Sequence, residues 1–309
     1  MAEIALRKVL TNTLLALAKE DPRIVVLTSD ATGSATLEKY VETYPDRLID
    51  VGIAEQNEVS VAAGLSNGGL IPFICAPAAF LAYRAFEQVK LDMGYSNCNV
   101  KAVGISGGLS YGSSGMTHYA ISDLANMTPV ENLTVLLPSD SVQMESLIRT
   151  IAKTVGPAYV RVGRNPVPQV YPDGETFEIG KAKLVHPGSD IAVCAAGEML
   201  SHALTAAREL EREGYTVRVL DMFSVKPIDR EAVLAAAQET QRLLVVEEHT
   251  VVGGIGSQIA QIVAECQPVP VKCIGLPNEH LIIGPAEEMH RHYSLTAQAI
   301  IEEIRRMLQ

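Results

Sequence analysis

Short apolar runs alternate with amphipathic stretches along the whole chain. Residues 24–27, 100–105 and 133–137 are compact, β-branched-rich runs bounded by polar or turn-forming residues, and residues 48–53 form a fourth. Such runs predict buried strands of a first unit, because a strand covered on both faces has no polar side. Between 164 and 180 the pattern lapses, since Pro166, Pro168, Pro172 and Gly174 break any period, and the segment reads as a linker. Beyond it, runs at 191–194, 216–220 and 242–246 alternate with predicted helices at 200–213 and 256–266. A last helix is predicted from Ser294, as N-cap, to Leu308, with Ile300, Ile301, Ile304 and Leu308 on one stripe. This alternation predicts an α/β fold with mostly parallel sheets covered by helices on both faces. Two domains are expected, 1–168 and 186–309, joined by a linker at 169–185. There is no internal repeat and no low-complexity tract.

Composition narrows the function class. The 309 residues are 48% hydrophobic with a net charge of −11, so nucleic acid and anionic membranes are unsuitable partners, and a bound phosphate has to be held by a few local cations. The first ten residues mix Glu3, Arg7 and Lys8 with apolar side chains, unlike a signal peptide. No apolar run approaches the ~20 residues of a spanning helix. The five cysteines are odd in number and lack a CxxC pair, which suggests neither a disulfide framework nor a zinc site and points to the cytoplasm.

The most informative stretch is Gly52-Ile53-Ala54-Glu55-Gln56-Asn57, which sets an acid between a predicted strand and a helix. Open α/β sheets bind ligands at the carboxyl ends of their strands, so Glu55 is placed for proton transfer in a crevice where burial raises a carboxyl pKa. The plainer alternative is a solvated acid favouring the helix dipole. Phe80, Tyr83 and Phe86 recur at three-residue spacing, which on a helix makes either one aromatic wall or ordinary core packing. The glycine-bounded loop from Gly112 to Thr117 ends in His118. Gly253-Gly254-Ile255-Gly256 lacks the rest of a dinucleotide fingerprint and reads as a tight turn into a helix.

From Pro45-Asp46-Arg47 through Gly52 to Asn57, Ala62-Ala63-Gly64-Leu65, Gly68-Gly69 and Phe80, the chain resembles the pyrimidine-binding half of transketolases. The resemblance continues through Gly115-Met116-Thr117-His118, Gly156-Pro157 and Glu247-Glu248-His249 to the last helix, so it covers essentially the whole chain. It implies a thiamine diphosphate pyrimidine-binding domain followed by a smaller C-terminal α/β domain. It also implies a cofactor site in which Glu55 holds a proton at the aminopyrimidine nitrogen within a water-poor pocket. Phe80 would stack on that ring, with Tyr83 and Phe86 in support. His118 falls on the substrate-side histidine. Arg7, Ser34 and Arg164 match the positions that grip the distal phosphate of the sugar, a job suited to guanidinium groups. Two positions depart from the pattern: Ser114 replaces an acid and Ser106 a histidine, which frees volume and removes charge beside the substrate.

No Gly-Asp-Gly occurs in the sequence, whereas these enzymes use that motif and a later Asn to bind the Mg²⁺ that anchors the diphosphate. The chain therefore looks like the C-terminal subunit of a split transketolase. A separate N-terminal subunit would supply diphosphate anchors and Mg²⁺, with two copies of each chain in the assembly. The implied reaction moves a two-carbon ketol unit from a ketose, by default a phosphate, to an aldose. Apulose 4-phosphate and a sulfonated fructose are the non-standard donors the two serines suggest. A 2-oxo acid dehydrogenase β chain, a deoxyxylulose-phosphate-synthase-like acyloin synthase and a non-catalytic paralogue are the alternatives.

Overall fold

A computed structural model describes residues 3–309. Its larger sheet has seven strands in the order Ser224–Lys226, Thr134–Leu136, Ala158–Val162, Lys101–Ile105, Ile71–Pro77, Ile24–Thr28 and Leu48–Asp50. The last six are parallel, and Ser224–Lys226 joins antiparallel. The four central strands are buried at every position, which is why Ile24–Thr28 and Lys101–Ile105 read as apolar runs, whereas Ile71–Pro77 and Ala158–Val162, carrying Pro72 and Arg161, escape the sequence reading. The second sheet orders Val271–Leu276, Leu243–Thr250, Ile191–Ala195, Val217–Asp221 and Lys183–His186, with only the last antiparallel.

Helices cover both faces. Leu10 and Leu14 of the helix Leu6–Glu20 share one apolar cluster with Leu147 and Ile151 of Ser141–Lys153, while Val59 and Ala62 of Glu55–Asn67 belong to another. Both clusters run on into the second sheet: Ile191 and Val193 fall in the first, Ala192 and Cys194 in the second. The period-2 alternation of one strand thus feeds two core layers. Among the described residues no helix is long and apolar enough to cross a membrane.

Several boundaries differ from the sequence reading for identifiable reasons. The strand at 48–53 stops at Asp50, because Gly52 turns the chain at φ +72° and donates its N–H to Asp50 Oδ1 (2.9 Å). The proline-rich stretch is strapped down rather than loose. Pro166–Pro168 pairs antiparallel with Glu3–Ala5, and the N–H groups of Val170 and Tyr171 both donate to Asp140 Oδ2 at 2.8 Å. The Tyr171 hydroxyl donates to Asp221 Oδ2 (2.6 Å), and its ring starts an edge-to-face stack through Phe177 to Phe223. The last helix is Ala297–Leu308, capped by Thr296, whose Oγ1 accepts from the Ala299 N–H (3.3 Å). Ser294 instead takes a left-handed φ of +60° beyond the helix Ala286–His292.

Candidate active site

Five parallel strands deliver their following segments to one edge of the larger sheet, the edge where open α/β sheets bind ligands. Ser34 follows Ile24–Thr28, Glu55 follows Leu48–Asp50, and Phe80 follows Ile71–Pro77. Ser106, Ser114 and His118 follow Lys101–Ile105, and Arg164 follows Ala158–Val162.

At one end, Glu55 opens the helix Glu55–Asn67 and is 1% exposed. Its surroundings are not the apolar pocket expected from the sequence, because Arg84 Nη1 lies 2.6 Å from Oε2. The Arg84 guanidinium also covers the Phe80 ring at 4.4 Å from its centroid, a cation–π contact. Phe80 meets the His118 ring edge-on at 5.4 Å, and His118 in turn meets Tyr111 at 5.1 Å. Thr117 Oγ1 lies 2.8 Å from His118 Nδ1 and orients the imidazole. Arg164 then covers Tyr111 at 5.4 Å. Arg7, at the start of Leu6–Glu20, donates to the Ser34 carbonyl at 2.5 Å.

These contacts form one strip from a carboxylate, through aromatic faces, to two cations. Among the described residues neither Arg7 nor Arg164 makes a salt bridge, and Arg7 Nε is buried with no hydrogen-bond partner. Burial and then the neighbouring Arg164 hold the Arg7 guanidinium below its usual pKa. An anion placed between them would relieve both penalties.

The remaining candidates are dispersed. The chain over Phe80–Arg84 is a π-helical turn, with the Ala85 N–H reaching back to the Phe80 carbonyl (3.1 Å). That wider turn separates the three aromatics instead of stacking them in one wall. Tyr83 is 40% exposed and its hydroxyl accepts from the Ser122 N–H (2.9 Å), while Phe86 packs on the apolar core. Ser106 is fully buried at φ +58° with no partner for Oγ, so the volume freed at 106 is closed over. Ser114 is exposed, and its carbonyl accepts from Thr117 Oγ1 (3.2 Å).

Three residues escaped sequence reasoning. Tyr111 and Arg84 adjoin segments already singled out, but their roles depend on which rings they meet across the fold. Glu58, one turn after Glu55, is wholly buried with neither carboxylate oxygen hydrogen-bonded, and burial pushes it up to about 8. An acid inside an apolar helix stripe is a signal the sequence does carry.

The arrangement fits half of thiamine diphosphate. Phe80 offers an aromatic face for a flat heteroaromatic ring, and Glu55 offers Oε1, which no hydrogen bond engages among the described residues. The group with metal-ligand spacing among the described residues, Glu198, Glu248 and His290, does not include Glu55 or its neighbours in the strip. The residues present thus suit the pyrimidine end.

Comparison with known proteins agrees with this division. Residues 2–169 match the family described as the transketolase pyrimidine binding domain, and residues 180–300 the transketolase C-terminal domain. The chain is 43% identical to a subunit of the apulose-4-phosphate transketolase of Phocaeicola vulgatus, covering 96% of this chain and 95% of that protein. It is 36% identical to 6-deoxy-6-sulfo-D-fructose transketolase subunit SqwH of Clostridium sp. (strain MSTE9), covering 96% and 92%. A solved structure described as a split gene transketolase, inactive beta4 tetramer, superposes with a TM-score of 0.92 at 37% identity, covering 99% of this chain and 98% of that one.

Proposed function

Because the chain belongs to the transketolase family, we propose that its strand-end strip is the pyrimidine and substrate half of a ketol-transfer site completed by a separate N-terminal subunit. The three relatives named above, two transketolase subunits and a split gene transketolase, are matched along nearly their whole length, which favours this reading over the dehydrogenase and acyloin-synthase alternatives. The observation that carries the proposal is the continuous run of contacts from Glu55 through Arg84, Phe80, His118 and Tyr111 to Arg164.

Thiamine diphosphate, when bound, supplies the carbanion chemistry that cleaves a ketose C–C bond. This chain's residues bind and orient. Phe80 would stack on the aminopyrimidine, with Tyr83 bound to Ser122 and Phe86 packed on the core supporting its helix from behind, and Glu55 would hold a proton at the ring nitrogen through Oε1. Arg84 steadies the other carboxylate oxygen. His118 hydrogen-bonds the sugar oxygens beside the reacting carbon, Ser114 lines the space that an acid fills elsewhere, and the buried Ser106 leaves the position of the usual histidine without a polar contact to the sugar. Arg7, Arg164 and Ser34 grip the anionic tail of the ketose. Phosphate is the default tail, with apulose 4-phosphate the first donor to examine given the 43% identical relative, and a sulfonate satisfies the same donors.

The partner binds Mg²⁺ and the diphosphate, and two copies of each chain form a heterotetramer. Alone, the chain self-associates into a silent oligomer, in line with the description of its structural neighbour. The complex works in the cytoplasm, where five free thiols are stable. Mixing the chain with its N-terminal partner and screening ketose donors, the ordinary pentose phosphates included, tests this reading. Ketol transfer from a phosphorylated or sulfonated ketose supports it, and no transfer from any donor refutes it.

A further inference from the structure

The Glu247-Glu248-His249 segment, on the strand Leu243–Thr250 of the second sheet, has no part in the strip described above, yet all three side chains are buried. Glu247 accepts the N–H groups of Ile255 (2.7 Å) and Gly256 (3.0 Å), which explains the glycines at 254 and 256, where any Cβ would press on its carboxylate. His249 Nε2 accepts from the Ala125 N–H (3.3 Å). Glu248 does something different. It crosses to the first unit and accepts the Leu109 N–H at 3.0 Å, inside the loop that leads to Tyr111 and His118.

That carboxylate is held from several sides. His290 Nε2 lies 2.8 Å from Glu248 Oε1, Arg161 Nη2 donates to the Glu248 carbonyl at 2.6 Å, and Arg161 Nη1 lies 3.4 Å from Asp123. Burial alone would raise the Glu248 carboxyl, but His290, Arg161 and the Leu109 N–H outweigh it and hold it low, while the same pairing raises His290. Gly108 sits against Glu248 at φ +62°, where a side chain would both strain the backbone and strike the carboxylate. Glu198, also from the second unit, seats against Gly163, the residue before Arg164, and its Oε1 has no partner. A cavity of about 20 Å³, room for one water, lies between these groups. Farther along the same loop, Gly115 packs against Ile283.

We infer that the second unit sets the substrate end of the site, with Glu248 and Glu198 as positioning residues that hold the loops bearing Tyr111, His118 and Arg164. A metal ion is the competing use of Glu198, Glu248 and His290, but His290 and Leu109 already occupy Glu248 Oε1. The kinetic consequence rests on the ketol-transfer reading, whereas the structural one does not.

Hydrogen exchange on the full chain separates the two. Glu248→Ala should speed exchange across 106–118 by about tenfold or more and leave Leu6–Glu20 unchanged, whereas Glu248→Gln, which keeps an acceptor for Leu109, should restore most of the protection. In the reconstituted complex, Glu248→Ala should raise the ketose KM about tenfold, with kcat and thiamine diphosphate affinity within about threefold of wild type. His290→Ala should shift KM in the same direction. Unchanged exchange at 106–118, equal loosening everywhere, or a fall in kcat without a KM change would overturn the inference. Stoichiometric binding of Zn²⁺ alone that disappears in His290→Ala would overturn it in favour of a metal site. If wild-type complex shows no ketol transfer, the exchange arm still decides whether Glu248 holds the loop.

Discussion

Replacing Glu58 with methionine isolates the energetic consequence of burying a carboxyl that nothing hydrogen-bonds. Burial, opposed only in part by the neighbouring Ser29 hydroxyl and Cys75 backbone and assisted by the Glu55 and Asp50 charges, pushes this acid from its ordinary 4.5 up to about 8. An acid whose folded value is raised holds its proton longer in the native state than in the unfolded chain. The contribution of this acid to stability is therefore greatest below about 4.5, falls as pH rises through the window to about 8, and levels off above it. Each pH unit of that window is worth about 1.4 kcal/mol, so the native state loses about 4 kcal/mol across it. Methionine is unbranched, comparable in length and does not titrate, so it removes the loss with little repacking. Urea unfolding at fixed protomer concentration, from pH 5 to pH 8.5, measures the effect. The advantage of Glu58→Met over wild type should widen by about 3 to 4 kcal/mol as pH rises. A difference that is constant with pH, or a methionine variant less stable than wild type at pH 8, would refute the reasoning.

Phe80→Ala should weaken thiamine diphosphate binding by the assembled enzyme by about 1 to 3 kcal/mol, and Phe80→Tyr by less; calorimetric titration showing unchanged affinity in the alanine variant returns Phe80 to plain packing. Arg164→Ala and Arg7→Ala should each raise the KM for a phosphorylated ketose roughly tenfold to a hundredfold, the scale of one charge-assisted hydrogen bond, while leaving an uncharged ketose unaffected. Equal losses on both donors would show that these arginines shape the fold rather than bind the tail.

Most of the parallel strands were legible because double burial leaves an apolar signature that needs no knowledge of the neighbours, but Ile71–Pro77, Ala158–Val162 and Val271–Leu276, interrupted by Pro72, Arg161 and Lys272, went unread. Glu55 and His118 were legible as candidates because each follows an apolar run and carries unusual chemistry for its position, and Phe80 through its aromatic spacing and the family resemblance. Their relations were not. The Arg84 pairing depends on a π-helical turn that no three-residue spacing discloses, and Tyr111 counts only because its ring lies between His118 and Arg164. The strand Ser224–Lys226 crosses from the second unit into the first sheet, a choice made by tertiary packing rather than by its own three residues. The same holds for Pro166–Pro168, where proline signals a break and yet sits on a two-stranded edge. Ser294 and Thr296 are both plausible caps by residue type, and only the backbone angle at 294 decides between them.

The central claim, that this chain is half of a ketol-transfer site, is tested most directly by thiamine diphosphate binding and turnover before and after the partner is added. The isolated chain should show no Mg²⁺-dependent binding by calorimetry, and mixing with the N-terminal subunit should restore both binding and two-carbon transfer. Within that complex, Glu55→Gln should keep the fold and assembly but lose about 10²- to 10⁴-fold in turnover, because it removes the proton the aminopyrimidine nitrogen shares. Tight binding and ketol transfer by the chain alone, or near-wild-type turnover in the Glu55→Gln complex, would contradict the account.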